Sequence, residues 1–401
     1  MNRLFLSVCA SACVFGLWFP LLWPTQPRNP LRPSFQQTTR ISAAMAAVEK
    51  PPVAPTSPLP DCRFEWAGDF AQGLAPVRME GLFGYIDTSG KPVIPPRYDF
   101  AGGFSENRAA CLRDGKWGYL DVTGREVIPP AYSSAGPFSE GLALVSAGEN
   151  FSFIDTLGAA LGLLRFTDAR PFSQGMAAVR MEYDGGDAWG FIDKQGALAV
   201  PLLFPDVPGG FSEGLAVVRV ESEMPYRSGF IDSSGGFAID TLYDAASDFH
   251  EGLAAVGQGQ WRGNRFQGLW GYVDRSGKLV ITPHFSEAGE FRHGKAMVRN
   301  QNGGYAWIDK QGRVTGTFRP DLRVCRPKQD DIVTYQVRET FGFLDSRGHG
   351  LCPVRFADAG LFREGRARVR LITVGAPIWA YIEEHGRYLG GESKAAPEPL
   401  R

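Results

Sequence analysis

The sequence is short of net charge and of the groups that bind metals or carry out chemistry. Over 401 residues, 42 Lys and Arg stand against 43 Asp and Glu, a formal net charge of -1. Residues 1–50 hold five of the basic groups (Arg3, Arg28, Arg32, Arg40, Lys50) and one acidic group (Glu49), leaving 37 basic and 42 acidic groups in the rest, a net of -5. A mildly acidic chain lacks the concentrated positive surface that phosphate neutralisation demands, so no nucleic-acid partner is expected. The five histidines (His250, His284, His293, His349, His385) fall at irregular offsets without an i, i+4 pair, and no metal site is expected. Of the six cysteines, Cys9 and Cys13 lie in the apolar N-terminus, and Cys62, Cys111, Cys325 and Cys352 show no zinc or redox spacing. Cys111 stands where other parts of the chain place a buried Val, and reads as a small core residue. Cys325 and Cys352 form a candidate disulfide if the chain is exported.

Strong helix-forming stretches are also few. In their place are 49 Gly, 29 Pro and 12% aromatics, a composition of many short strands separated by turns, and the fold class expected is all-β. One long apolar run, Leu4 to Trp23 behind Arg3, is long enough to cross a hydrocarbon core of roughly 30 Å. It reads as a signal peptide or an uncleaved anchor (1–23). Its distant small-residue cleavage candidates, such as Ala44-Met45-Ala46, favour retention. Residues 24–63 form a Pro-rich linker, with Pro at 24, 27, 30, 33, 51, 52, 55, 58 and 60. The alternative is translation from Met45, which would leave a cytoplasmic protein.

From Phe70 onward the sequence repeats. Phe70-Ala-Gln-Gly73-Leu-Ala, Phe138-Ser-Glu-Gly141-Leu-Ala, Phe172-Ser-Gln-Gly175-Met-Ala, Phe211-Ser-Glu-Gly214-Leu-Ala and Phe249-His-Glu-Gly252-Leu-Ala are copies of one block, with weaker starts at Phe104, Phe291 and Phe362. A second block pairs aromatic residues around Gly and ends in Asp-x-x-Gly: Trp117-Gly118-Tyr-Leu-Asp121-Val-Thr-Gly124, Trp189-Gly190-Phe-Ile-Asp193 and Trp270-Gly271-Tyr-Val-Asp274. A third, Val93-Ile-Pro-Pro96-x-Tyr98 or Val127-Ile-Pro-Pro130-x-Tyr132, closes the unit. The count is about nine units over residues 64–390, followed by a disordered tail at 391–401.

Each block has a physical reason. The Leu-Ala-x-Val and Tyr-Ile-Asp segments are short strands of one hairpin. Gly beside the aromatic residue admits a neighbouring ring or backbone. The Asp carboxylate caps its own turn, and Gly supplies the positive φ that resumes the next strand. The Pro-Pro tail suits an edge strand. A unit this small must stack on neighbours to bury its aromatic face.

With Lys116-Trp117-Gly118-Tyr119, the Asp-x-x-Gly turns and the Val-Ile-Pro-Pro-x-Tyr tails together, the chain resembles the WG (KWG) repeat proteins. The resemblance implies a non-catalytic bacterial β-repeat, frequently exported, with a binding role. Trp-Gly itself survives in three units, and Phe151-Ser152, Ser228-Gly229, Ala306-Trp307 and Trp379-Ala380 depart from it. The arrangement expected is an elongated, solenoid-like stack of hairpins. A closed propeller-like ring is the alternative, disfavoured because 34 residues is short for a four-stranded blade.

The regular aspartates (Asp87, Asp121, Asp155, Asp193, Asp232, Asp274, Asp309, Asp345) invite a calcium reading, but each turn offers one carboxylate where calcium takes six to eight oxygens. Trp117, Trp189 and Trp270 read as inter-repeat core, with sugar stacking the alternative. No nucleophile elbow, phosphate loop or zinc-hydrolase helix occurs, so neither a catalytic residue nor a cofactor is expected. What breaks the repeat is the length of the connections Arg180–Ala188, Arg219–Ser228 and Gly257–Leu269. They carry the candidate binding residues Tyr183, Asp187, Tyr226, Arg227, Trp261, Arg262, Arg265 and Phe266. The function expected is an exported, periplasmic or surface scaffold, membrane-tethered through its N-terminus, that binds a protein or cell-envelope polymer. The alternatives are a carbohydrate-binding envelope module and an intracellular interaction scaffold.

Overall fold

The computed structural model describes residues 62–389 except 163, 184–185, 221–226, 264, 318–322, 327–331, 338, 346–349, 352–355 and 374. Among these residues the chain forms nine small antiparallel sheets and no helix. The apolar run, the Pro-rich linker, the tail, Tyr226, Cys352 and the side chain of Cys325 lie outside the described residues, and with them the candidate disulfide.

Each sheet is a meander of consecutive strands. Unit one comprises Trp66–Ala67, Leu74–Met79, Leu82–Asp87 and Pro92–Tyr98, and unit two Phe100–Ala101, Arg108–Arg113, Lys116–Asp121 and Glu126–Tyr132. The two-residue first strand is why 34 residues suffice. Between first and second strands, the Phe-Ser-x-Gly block makes a tight turn with positive φ at both central residues, 54° at Gln72 and 78° at Gly73, the geometry that matches strand twist in a hairpin. Alternation then buries Ala75 and Val77 completely. Between third and fourth strands, Asp121 Oδ1 accepts the Thr123 and Arg125 amides at 2.9 and 3.1 Å and the Thr123 hydroxyl at 2.6 Å. Asp87, Asp232 and Asp274 do the same with Ser, Asp155 and Asp193 do so through amides alone, and Asp309 adds the Arg313 guanidinium at 2.7 Å to its two amides. The Thr123 hydroxyl and the two amides hold the Asp121 carboxyl below the usual range against the opposing effect of burial.

The Gly of Trp-Gly answers to the fourth strand. That strand bulges opposite the third, shifting register between Trp117↔Tyr132 and Tyr119↔Ile128, and its backbone then crosses directly over Gly118. A Cβ there would stand 2.5 Å from the Ile128 carbonyl oxygen, 2.7 Å from Pro130 N and 2.8 Å from Pro129 C. Gly84, Gly190, Gly229 and Gly271 are crowded by backbone in the same way.

Units dock through three recurring contacts. The aromatic residue after Gly meets the Phe that starts the next unit: Tyr85 with Phe104 (4.9 Å between centroids), Tyr119 with Phe138 (4.8 Å), Phe191 with Phe211 (5.0 Å) and Tyr272 with Phe291 (4.9 Å). Where that residue is Tyr, its hydroxyl donates to a carbonyl of the next unit, as from Tyr85 to Gly102 at 2.6 Å and from Tyr119 to Gly136 at 2.8 Å. Burial pushes these phenols up, so they remain protonated donors. The same burial pushes the Cys111 thiol, in the core of unit two, up to about 11.

The third contact is a latch. Glu140 in the Phe-Ser-Glu-Gly turn of unit three accepts the Gly175 amide of unit four at 2.8 Å, while Ser139 Oγ donates to the Phe172 carbonyl at 2.8 Å. The same step runs from Glu106 to Gly141, Gln174 to Gly214, Glu213 to Gly252 and Glu251 to Gly294. Burial raises the Glu140 carboxyl, but the Gly175 amide, Lys194 and the Gln174 amide outweigh it and hold the group below its ordinary value. The latch therefore stabilises fully above the ordinary carboxylate range, and its contribution is lost as pH falls through that range and below. Glu140→Ala is expected to cost about 1 kcal/mol in urea denaturation near neutrality, with the difference from the parent chain shrinking on acidification. Glu140→Gln should cost less, since Gln72 and Gln174 already serve as acceptors.

The latch also joins the last unit to the first. Glu364 accepts the Gly73 amide at 2.9 Å, Tyr381 donates to the Gly68 carbonyl at 2.6 Å, and Tyr381 stacks on Phe70 at 4.8 Å. Phe64 and Trp379 exchange backbone bonds of 2.9 and 2.8 Å, the pairing that Tyr98 makes with Phe83 and Tyr132 with Trp117. Phe64 thus occupies the end of the fourth strand of the ninth sheet, whose beginning comes from Tyr388 and Leu389. The all-β repeat architecture is present, but the array is not an open, elongated stack. It closes on itself as the propeller-like ring, because the chain supplies the tail of its last unit from in front of its first.

Candidate functional site

In units one to three the second and third strands meet at two-residue tips, such as Glu80-Gly81 and Asp114-Gly115. In unit four these strands lengthen to eight residues each (Met176–Tyr183, Gly186–Asp193), and in unit six to ten (Leu253–Arg262, Arg265–Asp274). In units four and six the long connections are therefore extended hairpins rather than loops, and both leave their sheets at the end opposite the Phe-Ser-x-Gly and Asp turns. The connection of unit five, residues 221–226, lies outside the described residues.

The hairpin of unit six is the best built. Its ladder is unbroken from Leu253↔Asp274 to Arg262↔Arg265 and pairs Trp261 with Phe266. Phe266 lies on a bed of glycines: a Cβ at Gly257 would be 2.7 Å from its ring and one at Gly268 2.6 Å. Trp261, Phe266 and Trp270 form one row, with centroids 5.5 and 5.0 Å apart. Trp261 is 41% exposed, yet its Nε1 donates to the Asp244 carbonyl at 2.7 Å and the Arg219 guanidinium of unit five stands 4.8 Å from its ring. Arg219 pairs with Asp206 at 3.1 Å. Asp244 in turn binds the Gly259 amide at 2.8 Å and Arg227 at 3.1 Å. Beyond this framework, Arg262 and Arg265 are exposed at the tip.

The remaining candidates sit apart from this row. Asp187 pairs with Arg180 at 3.0 Å within the hairpin of unit four, and Tyr183 pairs with Gly186 in the same ladder. Trp189 is buried under the Arg170 guanidinium at 5.3 Å, whereas Trp117 and Trp270 are half-buried. His250 is half-buried, with Nε2 3.4 Å from Glu290. Among the described residues no three His, Cys, Asp or Glu side chains converge as a metal site would require.

Sequence reasoning missed the residues that hold the hairpin, Asp244, Arg219 and Asp206, and the Glu of the latch. A signal for the first was present, since Asp99 and Asp244 each follow the aromatic residue that ends a unit and each caps the next hairpin, Asp99 through the Asp114 amide at 2.9 Å.

Among solved structures, a eukaryotic initiation factor is 14% identical with a TM-score of 0.54, covering 78% of this chain and 89% of its own. At that identity the likeness is one of fold. BamB from Moraxella catarrhalis (10% identity, 79% and 95% coverage, TM-score 0.41) and the computationally designed Ika8 protein (14%, 70% and 94%, TM-score 0.41) are also similar. No curated protein matches the chain. The family described as WG containing repeat matches seven consecutive segments, 61–83, 83–117, 117–150, 151–183, 189–222, 229–260 and 270–305. These segments span more than half of the sequence, and the chain belongs to the WG-repeat family.

Proposed function

We propose that the chain is a non-enzymatic scaffold, exported or membrane-tethered through its N-terminal apolar run, whose hairpin-bearing face binds a protein or cell-envelope partner. One observation carries the reading: the hairpin of unit six presents a half-exposed aromatic row and two exposed arginines on a rigid frame. Trp and Arg are the residues that most often dominate binding energy when a partner desolvates them. A frame already fixed by Asp244 and Arg219 loses little entropy on binding. The repeated aspartates are engaged by their own turns, which supports a structural role for them.

A photocrosslinking residue at Arg265, compared with one at Thr123 on the opposite face, tests the reading in cells. One discrete adduct from position 265, weakened about tenfold or more by Trp261→Ala, is the expected result. No adduct, or equal adducts from both positions, would overturn it. Fractionation of the same cells with external protease is expected to give a membrane-retained, cleavable ring. A soluble, protected ring beginning near Met45 would favour the intracellular scaffold instead.

A further inference from the structure

The hairpin of unit six has two edges, and the fold closes only one of them. On the side of the second strand, the Gly257 carbonyl accepts the Asp244 amide at 3.0 Å and the Gly259 amide donates to the Asp244 carboxylate at 2.8 Å. These peptide groups point away from the third strand, so Gly257 and Gly259 are non-hydrogen-bonded positions of the ladder. Their cross-strand partners Trp270 and Gly268 share that status, as does Phe266 opposite Trp261. All three therefore direct N–H and C=O toward the outer edge.

Trp270 meets the fourth strand there, at Phe285. That strand then ends, and the Ser286 amide bonds the Arg299 carbonyl of unit seven. Beyond it, the outward N–H and C=O of Gly268 and Phe266 have no hydrogen-bond partner among the described residues. In unit four the same position, two residues before Trp189, holds Asp187 in an ion pair with Arg180, and charge on an edge strand discourages pairing. Gly268 presents no side chain to do so.

The two faces of the hairpin differ in chemistry. Side chains alternate along a strand, so Trp261, Phe266 and Trp270 share one face and Arg262, Arg265 and Gln267 the other. Arg262 and Arg265 stand directly opposite each other in the ladder, both exposed, and neither has an acidic partner among the described residues. Like charges so placed destabilise a hairpin, and an anion beside them removes the repulsion. A non-peptide anion would satisfy the arginines and leave the edge unpaired, whereas an extended acidic peptide satisfies both.

We propose that the outer edge at Phe266 and Gly268 binds a partner segment as an added strand, with acidic residues toward Arg262 and Arg265 alternating with apolar residues toward Phe266. The proposal rests on the hairpin-face reading above and gives its partner a chemistry. Main-chain bonds to Phe266 and Gly268 supply affinity, and the alternate side chains supply specificity.

The test is fluorescence anisotropy of labelled probes with the full chain, kept in mild detergent on account of its apolar N-terminus. The probes are the heptapeptide Glu-Val-Glu-Val-Glu-Val-Glu, its counterpart with Lys for every Glu, the acidic peptide N-methylated at its internal amides, and a heparin tetrasaccharide as a polyanion without peptide groups. The acidic peptide is expected to bind about tenfold or more tightly than the other three. Replacing both arginines, Arg262→Glu with Arg265→Glu, should transfer binding to the lysine peptide. Phe266→Pro removes an outward N–H that the ladder does not use, and should bind the acidic peptide more weakly than Phe266→Ala, which loses the same ring. The proposal is overturned if the acidic peptide does not bind at millimolar concentration, if any of the other three probes binds as well, if the charge reversal does not exchange the preference, or if Phe266→Pro matches Phe266→Ala. Should Phe266→Pro fail to fold, the N-methylated peptide decides the role of the edge. A cellular adduct at position 265 together with failure of the peptides would leave the hairpin-face reading standing and remove strand addition alone.

Discussion

Replacing Gly118 by alanine is expected to destabilise the chain by about 3 kcal/mol or more, while Trp117→Phe beside it costs about 1 kcal/mol or less. The methyl group introduced at this position would have to occupy a point 2.5 Å from the Ile128 carbonyl and under 3 Å from the Pro129-Pro130 backbone. None of these is a side-chain end that can rotate away. The fourth strand must lift, breaking its bulged pairing with the third. Trp117, by contrast, is half-buried, and units one and eight manage with Phe83 and Phe341 in its place. Units that lack Gly show why they can. In unit nine the fourth strand is divided between the two ends of the chain, and Ala380 stands opposite the break, fully buried. In unit seven the strand is short and runs in another register, Ala306↔Thr317 and Trp307↔Gly316. Opposite Ser152 of unit three, the Leu161 and Phe166 pairings lie five residues apart in sequence, where those of Ile128 and Tyr132 in unit two lie four apart. Urea denaturation of Gly118→Ala and Trp117→Phe measures the difference, and equal costs would refute this account of the dipeptide.

Phe64→Ala is expected to cost about 3–4 kcal/mol and, beyond that loss, to loosen both ends of the chain together. Phe64 is 6% exposed within a cluster that includes Phe70, Trp379, Tyr381 and Leu389. The fair comparison is Phe166→Ala, since Phe166 is 2% exposed and makes the same pairing with Phe151 inside unit three. Both variants remove the same ring, but only the first removes it from the closure. Hydrogen exchange should therefore rise in units one and nine for Phe64→Ala, and only in and beside unit three for Phe166→Ala. Deleting residues 62–66 goes further, baring the Trp379–Glu383 edge to pairing with another chain. Oligomers on size exclusion are the expected outcome, and a monomeric truncation with unchanged exchange at Trp379 would count against the closure.

The hairpins, the Asp turns and the edge position of the Pro-Pro tail are legible in the sequence because each is decided by residues near one another in the chain. Leu74 to Val77, Asp121 with Thr123 and Arg125, and Ile128 to Tyr132 all answer to local periodicity or turn chemistry. The closure was harder to read because its partners are remote, yet a trace of it was present. Phe64-Glu65-Trp66-Ala67-Gly68 matches Tyr98-Asp99-Phe100-Ala101-Gly102, so a unit's tail stands in front of the first unit, and the last unit ends without one. At the hairpins, length marked Trp261 and Phe266, but not whether they hang free. The answer lay in Gly257 and Gly268, whose spacing has no meaning until the strands are paired. The Glu of Phe-Ser-Glu-Gly carries no local signal of its role, since its partner amide lies in the next unit.

The divided ninth sheet also sets an order of events during synthesis. Eight sheets are assembled from strands adjacent in sequence and can form as each unit leaves the ribosome. Phe64 and Gly68 emerge near the start but wait for Trp379 and Tyr381, a separation of 313 residues for the Tyr381 to Gly68 bond. At common elongation rates that delay is on the order of tens of seconds. Throughout it, the first unit keeps one flank open to other nascent chains. A factor that shields residues near Phe64 for that interval would act on the yield of the ring without touching its final stability.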